Sequence, residues 1–297
     1  MRQKSASQTV VRNRQSRFLG QKTGYLFVLP WIIGFAVFTA YPIFTSFMLG
    51  FQQATITGDG VAREFIGIEN FREAISTDIS FIRDVGGFSI VSVVAIPMIV
   101  ILALVMAILL NFPLKARGIF RTIFFLPVII ASGPVMDKLI DMGVTTIPTL
   151  QEYTFYWVLV GFDNIFATAA LLVLDSIIMF LWLSGVQLLV FLAGLQKLDK
   201  QTVEAARVDG ASPWEIFWKI TLPSLSSLIL VNIVYTTVMF AQTTFNPVIA
   251  HISGNMFNVT TGFGYASALA WLYFVVITLI MLVLVGVFAL FSKKSLT

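Results

Sequence analysis

The chain has 297 residues, of which 58% are hydrophobic and only 11% charged, and its mean hydropathy is +0.90. Soluble domains carry roughly 25% charged residues, so this is the sequence of a polytopic, all-α membrane protein, and its net charge of +4 reports topology rather than nucleic-acid binding. The lack of cysteine excludes disulfides and thiolate chemistry, and a single histidine, His251, leaves little scope for a His-based metal site or acid–base catalysis.

Residues 1–24 are a polar tail with six bases (Arg2, Lys4, Arg12, Arg14, Arg17, Lys22) and no acid. The apolar run from Tyr25 to Phe51 is too long for a signal-peptide core of roughly 7–15 residues and lacks a small-residue cleavage site, so it reads as a retained first span. A bilayer core of about 30 Å takes roughly 20 apolar residues per helix. Six segments qualify: 25–51, 88–112, 119–140, 166–195, 223–243 and 265–292. Pro127, Gly133 and Pro134 interrupt the third, which neighbouring helices can tolerate by re-satisfying the backbone.

Residues 52–87 form an external loop in which Gly67 to Ile75 places Ile68, Phe71 and Ile75 on one helical face, a pattern expected at the membrane surface. Residues 141–165, rich in Thr and aromatic residues, suit an outer vestibule. Neither segment is large enough for a domain, so capture of a solute outside falls to another chain. The chain thus divides into a tail (1–24), a first span with its external loop (25–87), a five-helix core (88–292) containing a polar segment at 196–222, and an end (293–297). The tail, the loop near 111–121, residues 196–222 and the end hold 15 of the 19 bases, whereas the opposite loops hold ten of the fifteen acids. The positive-inside rule then places both termini in the cytoplasm, as an even number of spans requires.

The polar segment between the fourth and fifth spans is the most informative. Asp199 suits an N-cap for a helix through Val208, and Gly210 suits its end. Ser212, Pro213 and Glu215 spell a capping box with proline at the first helical position, and Pro223 is expected to close that helix and open the fifth span. A helix lying on lipid is rich in Lys and Arg on its polar face. Here four acids balance four bases around small residues (Ala205, Ala206, Gly210, Ala211), which suits close contact with protein.

Glu204-Ala205-Ala206, Gly210, Ile220 and Leu222-Pro223 stand at the spacings of the EAA loop, and the chain resembles the permease subunits of type I ABC importers. FLAGLQ (191–196), Asp209 to Ser212 and GIFRTIFFLPVI (118–129) are similar to the carbohydrate branch, akin to maltose and glycerol-phosphate permeases. The first span resembles that of the MalF-like half. Where relatives often carry proline before the loop helix this chain has Asp199; either residue starts a helix. The resemblance implies that Glu204, Ala205, Ala206, Asp209, Gly210 and Trp214 dock into a dimer of separate ATP-binding subunits, which use ATP and Mg. It also implies a second EAA-loop permease, an extracellular solute-binding protein and a carbohydrate cargo. The chain carries no cofactor and no metal site of its own. It lacks G-x-x-x-x-G-K-[ST], and Gly20 to Thr23 matches only the end of it, so it is not its own ATPase.

Charge at the bilayer centre costs at least about 2.5–3.5 kcal/mol, which singles out Asp175 within the fourth span. Met179, Trp182 and Val186 follow it at helical spacing with Gln187 on the flank; Asn232, Thr236, Met239, Phe240 and Thr243 form a similar stripe on the fifth span, with Tyr235 and Gln242 beside it. Hydroxyl-binding polar groups between aromatic faces suit a sugar pathway. Asn232 and Thr236 fit interhelical hydrogen bonding equally well. Asp175 reads first as paired with Arg or backbone, in this subunit or its partner, ahead of direct sugar contact, and Met179, Met239 and Phe240 read as packing. An ion-coupled secondary transporter is the alternative function, but it would need coupling-ion sites and an internal repeat, and a membrane enzyme would need a nucleophile–base pair.

Overall fold

The computed structural model describes residues 27–57, 60–112, 154–161, 165–243 and 245–294, with isolated positions 118, 122, 138 and 142. The basic tail and most of the expected third span lie outside the described residues. The first helix, α1 (Phe27–Leu49), matches the expected first span. At its centre the Tyr41 N–H reaches back five residues to the Ala36 carbonyl, directly before Pro42. Proline has no N–H and crowds the carbonyl four residues back, and a wide turn relieves both problems.

The external loop corrects the all-α expectation. Strands β1 (Gln52–Thr57) and β2 (Gly60–Phe65) form an antiparallel hairpin, paired from Gln52↔Phe65 to Thr57↔Gly60. Thr55, Ile56, Thr57 and Val61 supply the β-branched side chains that favour strands. Helix α2 (Glu69–Ser76) follows. Its inward residues are Asn70, Phe71 and Ala74: Asn70 Nδ2 donates to the carbonyls of Gly50 and Gln52, both at 3.0 Å, and the Phe71 ring lies 5.1 Å from that of Phe51. Ile68 and Ile75, expected to share a face with Phe71, stay exposed.

Helix α3 (Ile79–Asn111) starts nine residues before the expected span. Arg83, Asp84, Gly86 and Gly87 disguise its first turns, but the Asp78 carboxylate caps it by accepting from the Phe81 N–H at 2.9 Å. Its 33 residues run about 50 Å at 1.5 Å per residue, so its ends stand clear of a roughly 30 Å hydrocarbon layer. After the short α4 (Thr154–Val160), the expected fourth span is two helices, α5 (Ile165–Leu183) and α6 (Gly185–Lys197). They break at Ser184, whose hydroxyl turns back to the Leu181 carbonyl at 2.7 Å.

Helix α7 (Lys200–Val208) and helix α8 (Pro213–Ser224) make up the polar segment. Helix α9 (Ser226–Ala241) follows after a 64° bend. Pro223 therefore does not end α8: the Leu222 N–H reaches back five residues to Phe217, as in α1, and the break falls at Leu225. Helices α10 (Pro247–Met256) and α11 (Gly262–Lys294) complete the described chain.

The apolar side chains form two stacked cores. One gathers Phe81, Phe88, Ile96, Phe180, Phe240 and Tyr273 from α3, α5, α9 and α11. The other gathers Ala107, Leu188, Phe191, Leu192, Leu225 and Ile229 from α3, α6 and α9. Gln187, between Leu183 and Leu188, and Thr236, between Ile233 and Phe240, mark the junction of the two.

Candidate coupling loop and solute pathway

The α7–α8 segment is built by local rules. Asp199 Oδ1 accepts from the Gln201 N–H at 2.9 Å and starts α7. At its end the Gly210 N–H donates to Arg207 O and the Ala211 N–H to Ala206 O, the double bond pattern that a left-handed residue closes; Gly210 has φ +84°. Ser212 and Glu215 then form the reciprocal capping box, with the Ser212 N–H on Glu215 Oε2 at 3.0 Å and the Glu215 N–H on Ser212 Oγ at 3.3 Å. The Ser212 backbone N–H, then its hydroxyl, and Lys219 hold the Glu215 carboxyl below its ordinary value.

Ile216 is the buried anchor of α8. Trp214 and Trp218 pack edge to face at 5.5 Å, yet Trp214 remains 69% exposed. Glu204, Ala205, Asp209 and Gly210 are exposed and Ala206 is half-buried, so the residues singled out for docking lie together on one projecting unit. Behind it, a cleft of about 640 Å³ separates α7 and α8 from the ends of α3 and α6, lined by Asn111, Leu195, Glu204, Arg207, Pro213 and Phe217.

The pathway residues separate into two groups. Gln187, Asn232, Thr236 and Phe240 are buried within the chain. Gln187 Nε2 donates to Thr236 Oγ1 at 2.9 Å, Asn232 Nδ2 donates to the Gln187 carbonyl at 3.4 Å, and Phe240 stacks on Phe88 at 5.3 Å. These side chains join α6 to α9 and α3. Gln187 Oε1 and Asn232 Oδ1 are buried without a donor among the described residues. In the second group, Asp175, Met179, Trp182, Met239 and Thr243 are half-buried and Tyr235 is 40% exposed. Met179 and Met239 pack against the first core, and the Thr243 hydroxyl bonds the Phe240 carbonyl. Among the described residues, the Tyr156 hydroxyl of α4 donates to Asp175 Oδ2 at 3.3 Å. The break at Ser184 interrupts the stripe from Asp175 before Val186.

The family model for binding-protein-dependent transport system inner membrane components matches residues 79–295. The chain belongs to that family. The permease is 32% identical over 282 residues to the probable ABC transporter permease protein YesP of Bacillus subtilis, with 88% of each chain covered. It is 26% identical over 283 residues to the multiple sugar-binding transport system permease protein MsmF of Streptococcus mutans, covering 89% of this chain and 94% of that one. A chain from the crystal structure of a bacterial alginate ABC transporter, in complex with an alginate pentasaccharide-bound periplasmic protein, shares its fold with a TM-score of 0.61. Identity is 20%, and the match covers 91% of this chain and 95% of that chain.

Two features of the permease escaped the sequence. Val208, 87% exposed, stands at the tip of the loop beside Gly210; an apolar residue between Arg207 and Asp209 was the available signal. The other is a polar cluster where α3, α10 and α11 meet. Asp78 Oδ2 receives the Tyr265 hydroxyl at 2.8 Å and lies 2.9 Å from His251 Nε2, while Asp84 Oδ2 lies 4.0 Å from His251 Nδ1. Burial pushes the Asp78 carboxyl up, but the Phe81 N–H, Tyr265 and His251 together hold it below its ordinary value of 3.8. Those partners are up to 187 positions apart, beyond the reach of any local pattern.

Proposed function

We propose that the chain is the transmembrane subunit of an ATP-driven importer, and that it moves a carbohydrate, with an oligosaccharide as the preferred class. The observation that carries this reading is the projecting α7–Gly210–α8 unit, on which Ala205, Asp209, Gly210 and Trp214 are exposed. A dimer of separate ATP-binding subunits, which supply ATP and Mg, receives this unit. A second EAA-loop permease completes the pathway, and an extracellular binding protein delivers the sugar. Sugar-transport relatives such as MsmF support the carbohydrate class.

The lever works through stiffness. Three capping devices (Asp199 and the Ser212–Glu215 box at helix starts, Gly210 at a helix end) leave little slack between α6 and α8. Ile216 anchors α8, which runs through the Leu225 bend into α9. Displacement of the loop is thereby transmitted to α6 and α9, where Gln187, Asn232 and Thr236 bind the two helices to each other. In this reading the chain has six spans with both termini in the cytoplasm of a bacterial cell. Its core begins near residue 88 and its loop occupies 196–222, and the solute passes along the side of Asp175, Trp182, Tyr235 and Thr243.

Gly210→Asp tests it. The substitution places a side chain and a charge at the hinge of the docking surface while leaving the spans intact. Expected are normal membrane insertion, loss of uptake by more than about tenfold, and ATP hydrolysis by the reconstituted complex that no longer responds to the loaded binding protein. Wild-type uptake by the variant would remove the docking role.

A further inference from the structure

The transport reading leaves His251 unused, yet this histidine sits among more charged groups than any other side chain on its helix. It is flanked on both ring nitrogens by carboxylates of α3: Asp78 Oδ2 at 2.9 Å from Nε2 and Asp84 Oδ2 at 4.0 Å from Nδ1. Asp78 accepts from three directions, since Oδ1 takes the Phe81 N–H and Oδ2 takes the Tyr265 hydroxyl. A carboxylate engaged in this way only accepts, so Nε2 must carry a hydrogen. In the neutral ring Nδ1 then bears a lone pair, which faces the Asp84 carboxylate without a bond.

We propose that His251 is a proton-operated clamp on the face where α10 meets α3 and α11. A proton taken from the aqueous phase onto Nδ1 converts the lone pair into a second N–H donor, and one imidazolium then bridges Asp78 and Asp84. No covalent bond is made or broken beyond the N–H. Charged and polar groups face the ring from several elements. From α3 come Asp78 and Asp84, with Arg83 the competing cation among the described residues, 3.7 Å from Asp84 but 77% exposed. From α11 comes Tyr265, from α2 Glu73 lies close enough to act on Tyr265, and the Phe81 ring covers one side at 5.9 Å. Two carboxylates thus lie within 4.0 Å of the ring, one at each nitrogen.

The clamp has something definite to hold. The start of α10 is already fixed, because Asn246 Nδ2 donates to the Ala241 carbonyl at 2.8 Å and to Tyr273 at 2.7 Å. His251 fastens the middle of α10 to the corner where α2 turns into α3. Its own carbonyl accepts from Asn255, whose side-chain oxygen in turn receives the Thr261 hydroxyl just before α11. A proton on Nδ1 tightens this corner. Further acidification removes the clamp: Asp78, held below its ordinary 3.8, contributes stability that is complete above that value and lost as pH falls through its depressed one. The functional consequence rests on the proposed topology, in which this corner meets the extracellular medium.

The test uses the full-length chain in detergent, where both faces meet the buffer, so failure of the clamp is separable from failure of the topology. Between about pH 8 and about pH 5.5, a range that brackets imidazole titration, the wild-type Tm is expected to rise by roughly 2–4 °C relative to His251→Gln. That variant keeps an N–H for Asp78 but does not titrate. Asp84→Asn keeps the Asp78 bond and removes the second carboxylate, and should lose at least about half of the rise. Because the chain holds a single histidine, ring-nitrogen NMR reads the same event without ambiguity: at the acid end the Nδ1–H should be protected from exchange in wild type and unprotected in Asp84→Asn. Parallel pH profiles for wild type and His251→Gln, or an unprotected Nδ1–H in wild type, would overturn the proposal.

Discussion

At the scale of single residues, the sharpest constraint is the contact between α11 and the hairpin. A Cβ on Gly264 would fall on the Gln52 carbonyl oxygen, and one on Gly262 on the carbonyl of Ala54. Backbone cannot yield as a flexible side chain can, so β1 must separate from α11 or the helix must shift. Gly262 carries the further requirement of φ +64°, which an L side chain adopts at a cost of about 1 kcal/mol or more. Gly264→Ala, which changes no φ requirement, isolates the steric effect. It should destabilise the chain by about 1–3 kcal/mol, the range for overpacking a well-packed site. Gly286→Ala on the same helix meets open space and should be neutral or slightly stabilising. Thermal unfolding of the two variants in one detergent makes the comparison, and equal Tm values would show that β1 does not bear on α11. The opposite imbalance holds at Gln187 and Asn232, where space is filled but two carbonyl oxygens lack donors among the described residues. Each such acceptor costs about 1–3 kcal/mol unless something donates to it, which sets the α6–α9 junction apart from the other buried polar side chains, such as Asn70 and Asn246, that are bonded.

Among the elements, the loop between α6 and α9 is the one whose construction is wholly local, and it is testable as such. Ser212→Ala removes the side-chain half of the capping box, so the amides of Glu215 to Phe217 should exchange roughly fivefold faster while those of α6 do not change. Acid should act in the same direction on the wild type. Glu215 is held below its ordinary 4.5, so its half of the box is present above that value and is lost as pH falls through the lower one. The same locality made the loop legible: Asp199, Gly210 and Ser212-Pro213-Glu215 act within four residues of themselves, and the sequence identifies each as the structure does. The hairpin is legible in principle from Thr55-Ile56-Thr57 and Gly58-Asp59-Gly60, but its polar, alternating composition reads as a loop beside so much apolar sequence. The break at Ser184 and the bend at Leu225 lie inside continuous apolar runs, where hydropathy is blind to direction. The Asp78–His251 pairing spans 173 residues and depends on how four helices meet, which no window of sequence contains.

For the whole molecule, the question is how many times the chain crosses the membrane between the hairpin and the loop. The proposed topology puts β2 outside and α7 inside, so an odd number of crossings must separate them. In that topology the described helices between those points make two passages, α3 alone and α5 with α6 together. The apolar stretch 119–140 must supply the third. If it does not cross, Val61 and Val208 face the same compartment. Both are exposed, and a chain without cysteine allows each to be replaced by the only thiol in the protein. In right-side-out vesicles an impermeant maleimide should label Val61→Cys and Val259→Cys, and should reach Val208→Cys only after the membrane is opened. Labelling of Val61→Cys and Val208→Cys from the same side would reduce the count to an even number between them. It would also separate the external binding-protein face from its present position opposite the loop. That outcome would undo the arrangement in which ATP-driven movement on one side opens a pathway to the other, because α3, at about 50 Å, is the described element that links the cleft behind the loop to the His251 corner.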